Sequence, residues 1–283
     1  MTVQAIDRRR TIRNLIIFTV VVLACGWLGY GLDQALQSPP DQRLGMLLWL
    51  VAPLLTVLAL RAFGGDGWRD FGLRPNFRGN LVWYAVSLLL YPVTALFVLG
   101  IGALLGLVSA PGFDLGKLVA VVAAGFVGQA FKNIFEEFAW RGYLAPKIAA
   151  LGWDGYGGHL LTGAIWGAWH IPYLLFMVDR KVLAATTSQS PLVFSLMAIV
   201  SLMGASIAYN ELRLLTGSTW PALLLHTVGN ALVDVLVVQG FVTLAAGSDW
   251  LVSPGHQSLL TLVAFVAVGV ALHRARRQKA AAQ

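Results

Sequence analysis

Two glutamates stand side by side inside a long apolar stretch of this 283-residue chain, and an arginine follows the second by four: Glu136-Glu137-Phe138-Ala139-Trp140-Arg141. An ionised carboxylate at the centre of a bilayer costs about 2.5–3.5 kcal/mol on insertion scales. Such a pair is kept only if it is paired, protonated or used. Adjacent residues on a helix point about 100° apart, so the two carboxylates cannot share one job. Glu137 and Arg141 lie on one face with glutamate first, the favourable order for an ion pair. Glu136 is then a candidate general base or acid. The competing reading is structural: Lys132, four residues earlier, could pair with Glu136 and brace the packing.

Two more polar pairs sit in apolar segments. Trp166-x-x-x-His170 has Trp169 beside the histidine, and His226-x-x-x-Asn230 continues one turn on to Asp234. A histidine flanked by aromatics is often only a packing residue, and a His/Asn stripe can serve as interhelical hydrogen bonding. Three helices that each carry such groups weaken the bland reading, because each group costs energy to insert. Acid, histidines and amide together have the makings of a reaction centre.

The elements that must position them are membrane helices. The chain is 58% hydrophobic and 12% charged, against about 25% charged in a soluble domain. Apolar runs of about 20 residues recur along it, each long enough to cross a bilayer. Eight spans are predicted: 15–36, 44–60, 81–107, 118–149, 159–178, 191–209, 220–238 and 259–272. The fold class is therefore all-α: a polytopic membrane protein with an intramembrane polar cavity. It is expected as one integral membrane domain over 1–283. Helices at 15–110 come first, the chemistry-bearing core lies at 118–240, and a last helix and basic tail fill 255–283. The first run is too long for a cleaved signal peptide and reads as a retained span. Pro92 is expected to kink the third span, and Pro172 follows His170 by two residues. The segment 64–70, rich in glycine and aspartate, reads as a turn-rich connection. Cys25, the one cysteine, excludes an internal disulfide and a cysteine metal site.

Charge placement orients the spans. With the N-terminus in the cytoplasm, fifteen Lys and Arg fall on that side, in the segments 8–13, 61–78, 141–147, 213 and 274–279. The other side holds Arg43, Lys117, Arg180 and Lys181, with Lys132 inside a span. This bias predicts both termini in the cytoplasm. The net charge of +7 fits cytoplasmic flanks meeting anionic membrane lipid. Nucleic acid is not expected as a partner, since no soluble domain carries a basic face.

The motif set, in this order on successive late spans, resembles that of the CPBP intramembrane proteases. That family includes the type II CAAX prenyl endoproteases and bacteriocin-processing or immunity proteins. The resemblance runs from Phe126 to Asp234 and extends to Trp140-Arg141-Gly142-Tyr143-Leu144 and to Thr216-Gly217-Ser218-Thr219-Trp220. The second motif usually begins with Phe, where this chain has Trp166. The resemblance implies a core at 118–240 and an endopeptidase acting on a membrane-associated or lipidated, CAAX-like peptide or protein in a bacterial or archaeal cell membrane. It implies that Glu136 activates water with His170, and that His226 and Asn230 stabilise the oxyanion. Glu137 and Arg141 would support them. If a metal is used, Glu136, His170 and His226 would hold zinc. Neither His-Glu-x-x-His nor Gly-x-Gly-Asp occurs, and Gly204-Ala205-Ser206-Ile207 lacks the last glycine of a rhomboid-type serine motif. The alternatives are a non-proteolytic immunity or peptide-binding protein of the same fold, and a transporter. The latter is disfavoured by the absence of inverted repeats.

Overall fold

A computed structural model of the chain describes residues 7–39, 43–255 and 257–282, and for Asp234 the backbone alone. Among these, eight helical segments are long and apolar enough to cross a bilayer. They are α1 (Arg8–Leu36), α2 (Leu44–Ala62), α3 (Leu81–Leu104), the run from α4 (Leu115–Ala139) into α5 (Ala145–Ala150), α6 (Tyr156–Trp169) with its extension to Met177, α8 (Pro191–Thr216), α9 (Trp220–Val238) and α11 (Leu259–Ala281). Two short helices, α7 (Arg180–Thr186) and α10 (Asp249–Val252), lie in connections. One two-stranded antiparallel ladder pairs β1 (Val108–Ser109) with β2 (Thr243–Leu244). The protein is an all-α integral membrane protein.

Several boundaries have a local cause. Asp7 caps α1 by accepting from Arg10 N at 3.0 Å. Ser190 caps α8, with Pro191 at the first helical position where its missing N–H costs nothing. Gly217 ends α8 in the left-handed conformation, φ 64°. Helix α1 begins seven residues before its expected start, and two helices run well past the expected C-terminal ends of their spans. The sixth continues past Tyr209 to Thr216, and the last continues past Leu272 to Ala281. The basic tail is therefore the last turns of a formed helix. Helix α3 runs on through Pro92.

The seams that matter are α6 with α8 and α4 with α9. On α6, a Cβ built on Gly163 would lie 2.4 Å from Met203 Cα, and one on Gly167 would lie 2.7 Å from Ile199 Cα. Without a strong hydrophobic drive between helices in lipid, small residues permit this close approach. The connection after α2 folds back onto the bundle. Asp66 accepts from Tyr143 Oη at 2.7 Å, and Asp70 pairs with Arg61 at 2.7 Å and with Lys147 at 3.1 Å. Burial works against the Asp70 carboxylate, but Arg61 and then Lys147 outweigh it and hold it below the usual range. What reads in sequence as a loose turn is an ionic staple on α5.

Candidate active site

The site starts on α4, a helix of two halves. Leu115, Val119, Val127 and Phe131 are exposed on the first, whereas Asn133, Glu136, Glu137, Phe138 and Ala139 on the second are all buried. Beyond Ala139 the helix widens for one turn, Trp140–Leu144, where Ala145 N bonds back five residues to Trp140 O. Pro146 has no N–H to offer the turn behind it. Arg213 Nε reaches Arg141 O at 2.9 Å and Arg61 Nη2 reaches Gly142 O at 2.7 Å instead. Two arginines thus satisfy the carbonyls that the irregular turn leaves over.

Glu137 is a hub between helices. Its Oε1 accepts from Arg141 Nη1 at 3.0 Å, four residues on, and from His226 Nδ1 at 2.8 Å across on α9. Arg141 is buried and spreads further, to Ser206 Oγ at 3.2 Å and Asn210 Oδ1 at 3.3 Å on α8. Its guanidinium carbon lies 4.1 Å from the Trp166 ring centroid and 4.4 Å from that of Tyr209. The expected Glu137–Arg141 pair is present, and it also orients His226.

Glu136 faces elsewhere. Its Oε2 accepts from Trp166 Nε1 at 3.2 Å, and Lys132 Nζ lies 3.5 Å from Oε1. So Glu136 does have a local cation, but a half-exposed one at the edge of ion-pair range. Trp166 acts here through its indole N–H, a bond that a phenylalanine at this place could not make. His170 lies just past the end of α6, where Pro172 interrupts the regular ladder. Its Nδ1 lies 2.9 Å from Trp166 O. A carbonyl only accepts, so Nδ1 carries the proton and Nε2 of the neutral ring is an acceptor. The ring sits on an aromatic wall in which Trp49 stacks on Trp169 at 4.0 Å and on Tyr173 at 4.6 Å.

Glu136, His170, His226 and Asn230 all line one cavity of about 410 Å³. Gln129, Lys132 and Tyr91 add polar groups to it, while Leu174, Leu183, Phe194, Ala198 and Leu202 make an apolar arm. Two residues near this site were not singled out from sequence, Asn133 and Gln129. Asn133 Oδ1 accepts from Asn230 Nδ2 at 3.0 Å, and Gln129 lines the cavity one turn earlier. The available signal was their spacing, four and eight residues before Glu137 on the same stripe. The side chain of Asp234, expected to continue the His226/Asn230 stripe, lies outside the described residues.

A second histidine–glutamate cluster was also unforeseen. Glu211 Oε1 lies 2.7 Å from His159 Nε2 and 2.6 Å from His273 Nδ1. Among the described residues, this is the group of three whose possible metal-ligand atoms all lie within 4.8 Å of one another. Yet a cation already belongs to it. Arg276 Nε bonds Glu211 Oε2 at 2.6 Å and Nη2 bonds Oε1 at 3.0 Å. Asn210, its amide oriented by Arg141, donates to His159 Nδ1 at 3.4 Å, which puts the His159 proton on Nε2, where a metal would need a lone pair.

Residues 115–232 match the family described as type II CAAX prenyl endopeptidase Rce1-like. That stretch contains every catalytic candidate named above. No curated protein matches the chain. The match is to that stretch, which is less than half of the chain, and it agrees with the CPBP resemblance of the motifs.

Proposed function

We propose that this protein is a CPBP-family endopeptidase that cleaves a peptide bond in a membrane-associated or lipidated, CAAX-like substrate. The observation that carries the reading is that Glu136, His170, His226 and Asn230, from three separate segments, line a single cavity. A water held between Glu136 and His170 Nε2 attacks the scissile carbonyl carbon as Glu136 takes its proton. The carbonyl oxygen becomes an oxyanion, and Asn230 Nδ2–H and His226 Nε2–H donate to it. His226 already gives its Nδ1 proton to Glu137, so it acts as the second donor from Nε2 in its imidazolium form. Collapse of the intermediate breaks the C–N bond, and the leaving amine takes the proton from Glu136. Lys132 Nζ stands at the rim, 3.5 Å from Glu136 Oε1. The apolar arm fits the greasy flank of such a substrate.

The same donors suit zinc. Both imidazoles have Nδ1 engaged with an acceptor, the outer arrangement of metal-bound histidines. Glu136, His170 and His226 would hold the ion, which supplies a more acidic bound water.

The protein purified in lipid nanodiscs should cleave a farnesylated CAAX peptide or an unprenylated membrane peptide, with Glu136→Gln as control. Cleavage by the control at the parental rate would reject the reading. Metal content by mass spectrometry, with activity before and after chelation, decides between water activated by glutamate alone and zinc-bound water. Reporter fusions beside Arg9 and Lys279 test the proposed cytoplasmic termini; a reporter exported at either end rejects that topology.

A further inference from the structure

Asn230 can donate to an oxyanion only if its amide is turned the right way. The two ends of an amide have nearly the same shape and opposite chemistry: NH2 stabilises a developing negative charge, and a carbonyl oxygen repels it. A rotation about χ2 exchanges them, and that torsion is broad. Something in the protein must choose.

We propose that Asn133 makes this choice and is a positioning residue for the reaction. The inference rests on the proposed role of Asn230. Asn133 is on α4, one turn before Glu137, and is fully buried. Its Oδ1 accepts from Asn230 Nδ2 at 3.0 Å. One of the two Asn230 amide hydrogens is spent there, and this fixes the nitrogen on the side of α4 that carries Glu136. The second hydrogen of the same nitrogen stays free for the cavity that Asn230 lines. The contact also continues the Glu137–His226 bond as the next rung between the same two helices. On this α4–α9 ladder each rung fixes one oxyanion donor: Glu137 sets the direction of His226, and Asn133 sets the face of Asn230. A bond that merely stapled α4 to α9 would alter folding and leave turnover per folded molecule alone.

Four variants separate these cases: Asn133→Leu, which removes the acceptor at similar volume; Asn133→Asp, which keeps an acceptor in the same place; Asn230→Ala; and Asn133→Leu with Asn230→Ala. Asn133→Leu should lower kcat roughly ten- to hundredfold with KM and Tm near parental. Asn133→Asp should retain most of the turnover. The double variant should be no slower than Asn230→Ala alone, because both act through one group. Asn133→Ala serves if the leucine variant does not insert. The proposal is overturned if kcat of Asn133→Leu is parental, if Asn133→Asp is as impaired, or if the two losses multiply. Parental turnover by Asn230→Ala overturns the oxyanion role itself and this inference with it. A slow Asn230→Ala beside a parental Asn133→Leu overturns the inference alone.

Discussion

Glu137 and Glu211 are both fully buried in membrane helices, and each meets a histidine and an arginine. Their surroundings differ in what is left over. Around Glu211 every strong group is answered. Both carboxylate oxygens hold Arg276, two histidines point at Oε1, and Asp154 holds the far side of Arg276 at 2.9 Å. Around Glu137 one histidine and Arg141 are engaged, but the neighbouring Glu136, His170 and Asn230 each keep a polar atom for the cavity. A saturated network fastens helices together. A network with capacity to spare beside a cavity can act on something that enters. Residue type alone does not separate these cases, since both clusters are glutamate, histidine and arginine.

The sharpest break is Glu136→Gln against Glu211→Gln. The first should fold and insert normally yet lose at least about a thousandfold in turnover, because the amide keeps the shape and cannot take a proton. The second should lower folded yield and Tm, while the fraction that folds keeps near-parental kcat. A Glu211→Gln protein that folds well but turns over slowly would erase the distinction. Next in size is Asn230→Ala. It should lose roughly a hundredfold or more in kcat with little change in KM, as expected for a donor acting mainly in the transition state. Paired stability and kinetic measurements check both.

Arg141→Ala should fall between the classes, since Arg141 touches both. It leaves Glu137 buried without its cation, a change typically costing about 3–5 kcal/mol, and it also frees His226 and Asn210. Yield and kcat should drop together, and a drop in only one would show that Arg141 belongs to a single cluster. The smallest effect concerns pH at the outer edge of the saturated cluster. Hydrogen bonds from Arg276 hold the Asp154 carboxyl below its usual range. Its stabilisation is therefore complete above the ordinary carboxylate pKa of about 3.9 and fades as pH falls through the lower folded value. Asp154→Asn should lower Tm slightly and uniformly from pH 5 to 8, and the two melting curves should converge under more acidic conditions.

Much of this was legible in the sequence, for physical reasons. Apolar runs in lipid must be helices, so the eight spans could be read from length and hydropathy. The Glu137–Arg141 pair is local, set by a spacing of four. The bond from Glu137 to His226 spans 89 residues and needs the α4–α9 seam, which no local pattern announces. The Glu211 cluster stayed hidden because Arg276 and its basic neighbours look like any cytoplasmic flank, and because Glu211 falls beyond the expected end of its span. Lys132 was visible as a possible partner of Glu136, but its half-exposed position was not. Asn133 needed a reason to attend to the turn before the glutamates, and its marks were a polar side chain in an apolar run and a spacing of four from Glu137.

The wide turn at Trp140–Leu144 carries one residue more than an α-helix of the same rise would hold. It therefore acts as a phase shift written into the fourth span. An α-helix advances about 100° per residue, so losing one residue anywhere in this turn would swing α5 through that angle. Lys147 would leave the Asp66 and Asp70 carboxylates it now meets at 3.5 and 3.1 Å, and Tyr143 would leave Asp66. Point substitutions here change one contact each; a single-codon deletion would re-index all of them. This stretch should accept changes of letter far more readily than changes of length.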